Sequence, residues 1–95
     1  MEIVGNPWPD RLYGTSADDR IFGLEGNDSL DGGSGNDYLD GGGGSDDLGG
    51  SWGDDTLVGG DGDDQLYSYV GRDSVYGGPG DDHIDLYAGG FGSGG

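Results

Sequence analysis

Aliphatic side chains recur every nine residues from Leu12 to Ile84, each flanked by mostly polar neighbours. Leu12, Ile21, Leu30, Leu39, Leu48, Leu57, Leu66, Val75 and Ile84 form the series. Alternation over three residues predicts a very short strand, with the aliphatic side chain facing one way and its two neighbours the other. Ser29, Asp31, Asp40, Thr56 and Gln65 therefore face out. The six residues between successive strands are rich in Gly, Asp and Asn, the composition of a turn. From Gly5 to Asp85 the phrase repeats nine times without insertion or deletion, and its sixth residue is always aspartate. Asp makes up about one residue in five, so a filled column of nine is positional selection and not composition.

Two strands and two turns close a flattened coil of 18 residues, so odd copies stack on odd copies and even on even. The expected core is a pair of ladders: Leu12, Leu30, Leu48, Leu66 and Ile84 in one, Ile21, Leu39, Leu57 and Val75 in the other. Neighbouring coils should lie about 4.8 Å apart, the spacing of hydrogen-bonded strands. The chain thus divides into a lead-in at residues 1–4, a repeat array at 5–85 and a Gly-rich tail or partial cap at 86–95. The period fails after Asp85, because a tenth copy would need Asp at 91 and an aliphatic residue at 93, where Phe91 and Ser93 stand.

Composition sharpens this picture. With 95 residues there is room for one domain; 26 glycines and an apolar fraction of 29% would argue for disorder if the chain were aperiodic. Twenty acidic residues against Arg11, Arg20 and Arg72 give a formal charge of −17. Such a surface repels nucleic acid and anionic membranes, so cations are the expected partners. Without cysteine there are no disulfides or thiolate metal sites. The N-terminal residues lack the basic and then apolar character of a secretory signal, and no apolar stretch could span a bilayer.

Nine aliphatic side chains cannot offset the ordering of so many glycine-rich residues, and stacked turns would set the position-six carboxylates against one another. A divalent cation between same-side turns would relieve both deficits. The ligands on offer are carboxylates and backbone carbonyls, hard oxygens that suit Ca²⁺ or Mg²⁺ and not zinc or copper. Carbonyl-rich cages favour the larger, more easily dehydrated calcium. Nine copies allow at most seven same-side pairs.

The copies GGSGNDYLD, GGGGSDDLG, GGDGDDQLY and GGPGDDHID resemble the Gly-Gly-x-Gly-x-Asp-x-aliphatic-x nonapeptide of RTX (repeats-in-toxin, hemolysin-type) proteins. The resemblance covers residues 5–85. It implies an all-β fold, a right-handed parallel β-roll, with each Ca²⁺ held between same-side turns by position-six aspartates and turn carbonyls. Carried onto this chain, the ligands are Asp19, Asp28, Asp37, Asp46, Asp55, Asp64, Asp73 and Asp82, with carbonyls around Gly33, Gly35, Gly42, Gly44, Gly60, Gly62, Gly78 and Gly80. The best sites pair Asp28 with Asp46, Asp46 with Asp64, Asp64 with Asp82, and Asp37 with Asp55. Three pairs are weakened by departures from the pattern. Asn6, Pro7, Trp8 and Pro9 interrupt the first copy, Thr15 and Ala17 the second, and Ser68, Tyr69 and Arg72 the eighth. The resemblance further implies a secreted or cell-surface bacterial protein exported by the type I route, with the repeats forming part of a larger protein.

Other side chains have plainer explanations. Asp or Asn at position five fits turn stabilisation by side-chain to backbone hydrogen bonds better than direct ligation. His83, the one histidine, falls at an outward strand position with no nucleophile beside it, so no enzyme is expected. Aromatic residues gather early (Trp8, Tyr13, Phe22) and late (Tyr67, Tyr69, Tyr76, Tyr87, Phe91), as covers for the ends and outer faces. The competing function is an accessory or adhesive module that binds a polysaccharide, a surface layer or a partner enzyme through these aromatics, with calcium in a structural role.

Overall fold

A computed structural model describes residues 2–69, 71–86 and 91–93. Strands alone supply its regular structure, in chain order β1 (Glu2–Val4), β2 (Arg11–Tyr13), β3 (Arg20–Phe22), β4 (Ser29–Asp31), β5 (Tyr38–Asp40), β6 (Asp47–Gly49), β7 (Thr56–Val58), β8 (Gln65–Ser68), β9 (Ser74–Tyr76), β10 (His83–Leu86) and β11 (Phe91–Ser93). The strands β1 to β10 lie where the aliphatic beat places them. Odd strands form one parallel sheet, β1-β3-β5-β7-β9-β11, and even strands the other, β10-β8-β6-β4-β2, in a β-solenoid of about five turns. Register follows the 18-residue coil: Leu12 stands over Leu30, Leu30 over Leu48, Ile21 over Leu39 and Leu39 over Leu57.

Ile21, Leu39, Leu57 and Val75 from one sheet meet Leu30, Leu48 and Leu66 from the other, all buried, in a core one side chain deep per sheet. Each contributes roughly 2 kcal/mol on burial. The end rungs Leu12 and Ile84, expected in the core, are only partly buried, because β2 and β10 are the edge strands of their sheet among the described residues. Overall the molecule measures 29 × 27 × 13 Å, thin enough that the sheets touch through a single layer of side chains.

The coil extends past the nine copies at both ends. Residues 2–4, expected as a lead-in, form β1 on β3, because Ile3 falls one beat before Leu12 and packs against the core. Beyond Asp85, β11 pairs with β9 in a register one residue shorter than the repeat, Gly92 opposite Val75. Strand pairing therefore continues there without the nonapeptide. The other residues of 86–95 outside β10 and β11 lie outside the described set.

Candidate metal centre

Where each turn gives way to a strand, the position-six N–H needs an acceptor. The carboxylate of the next same-side coil provides it. The N–H of Asp10, Asp19, Asp28, Asp37, Asp46, Asp55 and Asp64 donates to Oδ1 of Asp28, Asp37, Asp46, Asp55, Asp64, Asp73 and Asp82 respectively, at 2.7–2.9 Å. The position-six carbonyl in turn accepts from the next coil's position-seven N–H, as Ser29 N–H to Asp10 O at 2.8 Å. One carboxylate oxygen per coil thus serves as a rung of the ladder. A neutral asparagine would accept the same bond, so the charge must serve the other oxygen.

That second oxygen is the anomaly of the molecule. Asp28, Asp37, Asp46, Asp55 and Asp64 are 1–3% exposed, yet Oδ2 of each, and of Asp82, has no hydrogen-bond donor. A buried charge without a partner costs several kcal/mol. Burial, and after it the neighbouring carboxylates, push Asp46 and Asp55 up to about 7 and Asp37 and Asp64 up to about 6. Asp28 is also raised, mainly by burial. Asp19 goes the other way: burial raises it, but favourable interactions outweigh that, the largest being hydrogen bonds from the N–H and hydroxyl of Thr15.

Position one explains where such an oxygen points. It is glycine in every copy but the eighth, yet its φ is not positive, so backbone conformation is not the reason. Space is. A Cβ on Gly23 would lie 2.6 Å from Asp28 Oδ2 and 2.9 Å from the Gly41 carbonyl oxygen; on Gly59, 2.6 Å from Asp64 Oδ2 and 2.7 Å from the Gly77 oxygen. A carboxylate oxygen and the position-one carbonyl of the next same-side coil therefore converge on a notch that only glycine leaves open. These position-one carbonyls were not singled out from the sequence, although the constancy of glycine there was the available signal.

All eight glycines expected to surround an ion, Gly33, Gly35, Gly42, Gly44, Gly60, Gly62, Gly78 and Gly80, have positive φ. Several pack directly on the carbonyl of the equivalent residue one coil away, so that a Cβ on Gly60 would lie 2.4 Å from the Gly42 oxygen and one on Gly62 2.3 Å from the Gly44 oxygen. Their carbonyls line the stacked edge. Position five works as anticipated from its residue types: Asp18, Asn27, Asn36, Asp54 and Asp63 each accept, through Oδ1, the position-five N–H of the next same-side coil at 2.8 Å.

Orphaned carboxylate oxygens, notches and stacked carbonyls fit a hard cation of calcium's size and flexible coordination. No group of three or more His, Cys or acidic side chains converges among the described residues, so carbonyls must supply much of any coordination shell. His83 is exposed and lies 3.0 Å from Asp85, away from the turns. Phe22, one of the aromatic residues expected as covers, packs against Tyr38 with ring centroids 6.0 Å apart. Trp8, Tyr13, Trp52 and Tyr76 stay at least half exposed. No helix among the described residues is long and apolar enough to cross a membrane.

No curated protein matches the chain. The family described as RTX calcium-binding nonapeptide repeat (four copies) matches residues 13–48, 49–84 and 70–94, most of the sequence. With its stacked acidic turns and 18-residue parallel coils, the chain belongs to the RTX calcium-binding nonapeptide repeat family.

Proposed function

We propose that this chain is a non-enzymatic calcium-binding β-roll whose folding is coupled to ion binding, of the kind found in bacterial proteins secreted by the type I route. Six buried carboxylate oxygens without a donor carry this reading. Asp28, Asp37, Asp46, Asp55, Asp64 and Asp82 are the carboxylate ligands; carbonyls of the glycine turns complete the shell. Bound calcium supplies the missing counter-charge. The polypeptide's own part is to hold each Oδ1 in a backbone hydrogen bond, so that in the stacked coil Oδ2 is left aimed into the notch. Because ions bind only the stacked state, binding energy becomes folding energy. At low cytosolic calcium the chain stays unfolded and exportable; outside the cell it folds. As part of a larger secreted protein it would act as a calcium-dependent folding module.

Circular dichroism of the full chain with calcium and with EDTA tests the coupling. A strand signal that disappears in chelator and returns with calcium is expected. A signal unchanged by chelator would overturn the proposal.

One observation favours the adhesive alternative. Tyr13, Asp31, Asp47, Gly49, Tyr67 and Tyr69 line a groove of about 350 Å³ on the outer face of the even-strand sheet. Aromatic walls above carboxylate acceptors suit a neutral polysaccharide. Glycan binding by the calcium-loaded chain, lost in Tyr69→Ala, would favour this reading.

A further inference from the structure

The turns do not all make the same demand for a cation. Six position-six carboxylates have an orphaned Oδ2, whereas those of Asp10, Asp19 and Asp73 are closed by donors of the protein itself. Asn6 N–H donates to Asp10 Oδ2 at 2.8 Å. Thr15 donates twice to the Asp19 carboxylate, through N–H at 2.6 Å and through Oγ1 at 3.0 Å. The hydroxyl of fully buried Ser68 donates to Asp73 Oδ2 at 2.5 Å.

Backbone conformation at position two separates the same two groups. Leu24, Gly33, Gly42, Ser51, Gly60 and Gly78 have positive φ, and these residues belong to the turns of Asp28, Asp37, Asp46, Asp55, Asp64 and Asp82, the six orphans. Asn6, Thr15 and Tyr69 are not among the residues with positive φ. The correlation has a physical cause. In the left-handed turns the position-two N–H faces away from the carboxylate, donating at Gly33 and Gly42 to Asp31 and Asp40 Oδ1 at 3.0 Å. With ordinary φ at Asn6 and Thr15 the same N–H swings into Oδ2 and occupies it. An oxygen whose charge is already met by donated hydrogens is the weaker ligand for an ion.

Resting on the calcium reading, we propose that the chain binds calcium at four of its seven same-side pairs: Asp28 with Asp46, Asp37 with Asp55, Asp46 with Asp64, and Asp64 with Asp82. An ion is held only where both carboxylates of a pair keep an orphaned Oδ2, and the pairs that include Asp10, Asp19 or Asp73 each have one Oδ2 occupied, by Asn6, Thr15 or Ser68. These side chains and N–H groups stand in for the ion, so those coils close without one. Ser68 sits where every other copy has glycine, and its hydroxyl fills the notch.

Native mass spectrometry of the full chain with calcium, checked by equilibrium dialysis, counts the ions. The wild type should bind four. The double variant Ser68→Gly/Tyr69→Gly removes the internal donor and permits a left-handed position two, and should bind five. Thr15→Gly, in a different part of the coil, should also bind five, which keeps the test decisive if the first variant fails to fold. A wild-type count of five or more, or a count of four in every folded variant, would overturn the proposal. Binding of no calcium at all would instead sink the calcium reading on which it rests.

Discussion

The turns Gly41–Asp46 and Ser68–Asp73 occupy the same place in the repeat and bury the same carboxylate, yet they reach balance by different means. Asp46 Oδ1 accepts the Asp28 N–H and its Oδ2 meets nothing. Asp73 Oδ1 accepts the Asp55 N–H in the same way, but its Oδ2 takes the Ser68 hydroxyl. One turn requires a partner from solution, and the other contains its own. A coil built only from the second kind would be stable in any medium, while the first kind makes stability conditional on an ion. The comparison also separates the departures named for the eighth copy, of which Ser68 is the one that touches the carboxylate. Arg72 is exposed, with its backbone N–H donating to Asp54 Oδ1, and the group that occupies Asp73 is a hydroxyl.

Asparagine at each position breaks this comparison most sharply. With saturating calcium, Asp46→Asn should cost about 3 kcal/mol, or roughly 10–20 °C in thermal midpoint, because a ligand is lost beside charges that remain. Asp73→Asn keeps its ladder acceptor and can bond Ser68 with the hydroxyl reversed, so it should stay within about 1 kcal/mol of wild type. In EDTA the sign at position 46 should invert, since the substitution removes a buried charge without breaking the ladder. Equal thermal shifts for the two variants in calcium would contradict the division of turns.

Acidity gives a second, smaller contrast. Carboxylates raised by burial bind protons more tightly in the coil than in the unfolded chain, whose reference value is 3.8, so the folded state holds more protons between that value and the raised ones. For the metal-free chain, this stabilisation is complete below 3.8 and is lost as pH climbs through about 6 for Asp37 and Asp64 and about 7 for Asp46 and Asp55. Strand signal in EDTA should therefore be higher at pH 4.5 than at pH 8. Calcium-saturated protein should show the reverse trend, because protons compete with the ion. Dichroism that does not change with pH in EDTA would count against unpartnered buried carboxylates.

The smallest effect concerns Leu24, held at φ 68° and 42% exposed in a turn that glycine usually occupies. Left-handed backbone costs a non-glycine residue roughly 1–2 kcal/mol. Leu24→Gly should recover part of this, about 1 kcal/mol after the greater freedom of the unfolded chain is subtracted. The gain should appear in the thermal midpoint of the calcium-loaded form. A loss there would mean that the leucine side chain contributes more than its backbone costs.

Much of the fold was legible because a nine-residue beat constrains each strand locally and the stacking of every second copy follows from closing the coil. Leu30 over Leu48 and Leu39 over Leu57 follow from the 18-residue coil alone. The ends were less legible. Ile3 carries the beat without an aspartate turn behind it, and β11 pairs at a register outside the repeat. Aromatic groupings along the chain do not show which residues share a surface, because stacking puts Tyr13 on the same groove as Tyr67 and Tyr69, with β4 and β6 between them, while Tyr76 lies in the opposite sheet. At the metal centre the acidic column was plain, but the separate tasks of its two oxygens were not. Those tasks depend on donors one coil away and on the space left by position-one glycine.

By itself the sequence determined the period, the direction each strand residue faces and the column of buried charge, since alternation and turn composition act within nine residues. The tertiary structure alone decided which carboxylate oxygens find a donor and which do not. It also held Leu24 and Ser51 in a left-handed conformation that neither residue favours. The physical reason is stacking: each turn is shaped by the turns above and below it, so whether a carboxylate closes on the protein or waits for an ion is set by its neighbours in space.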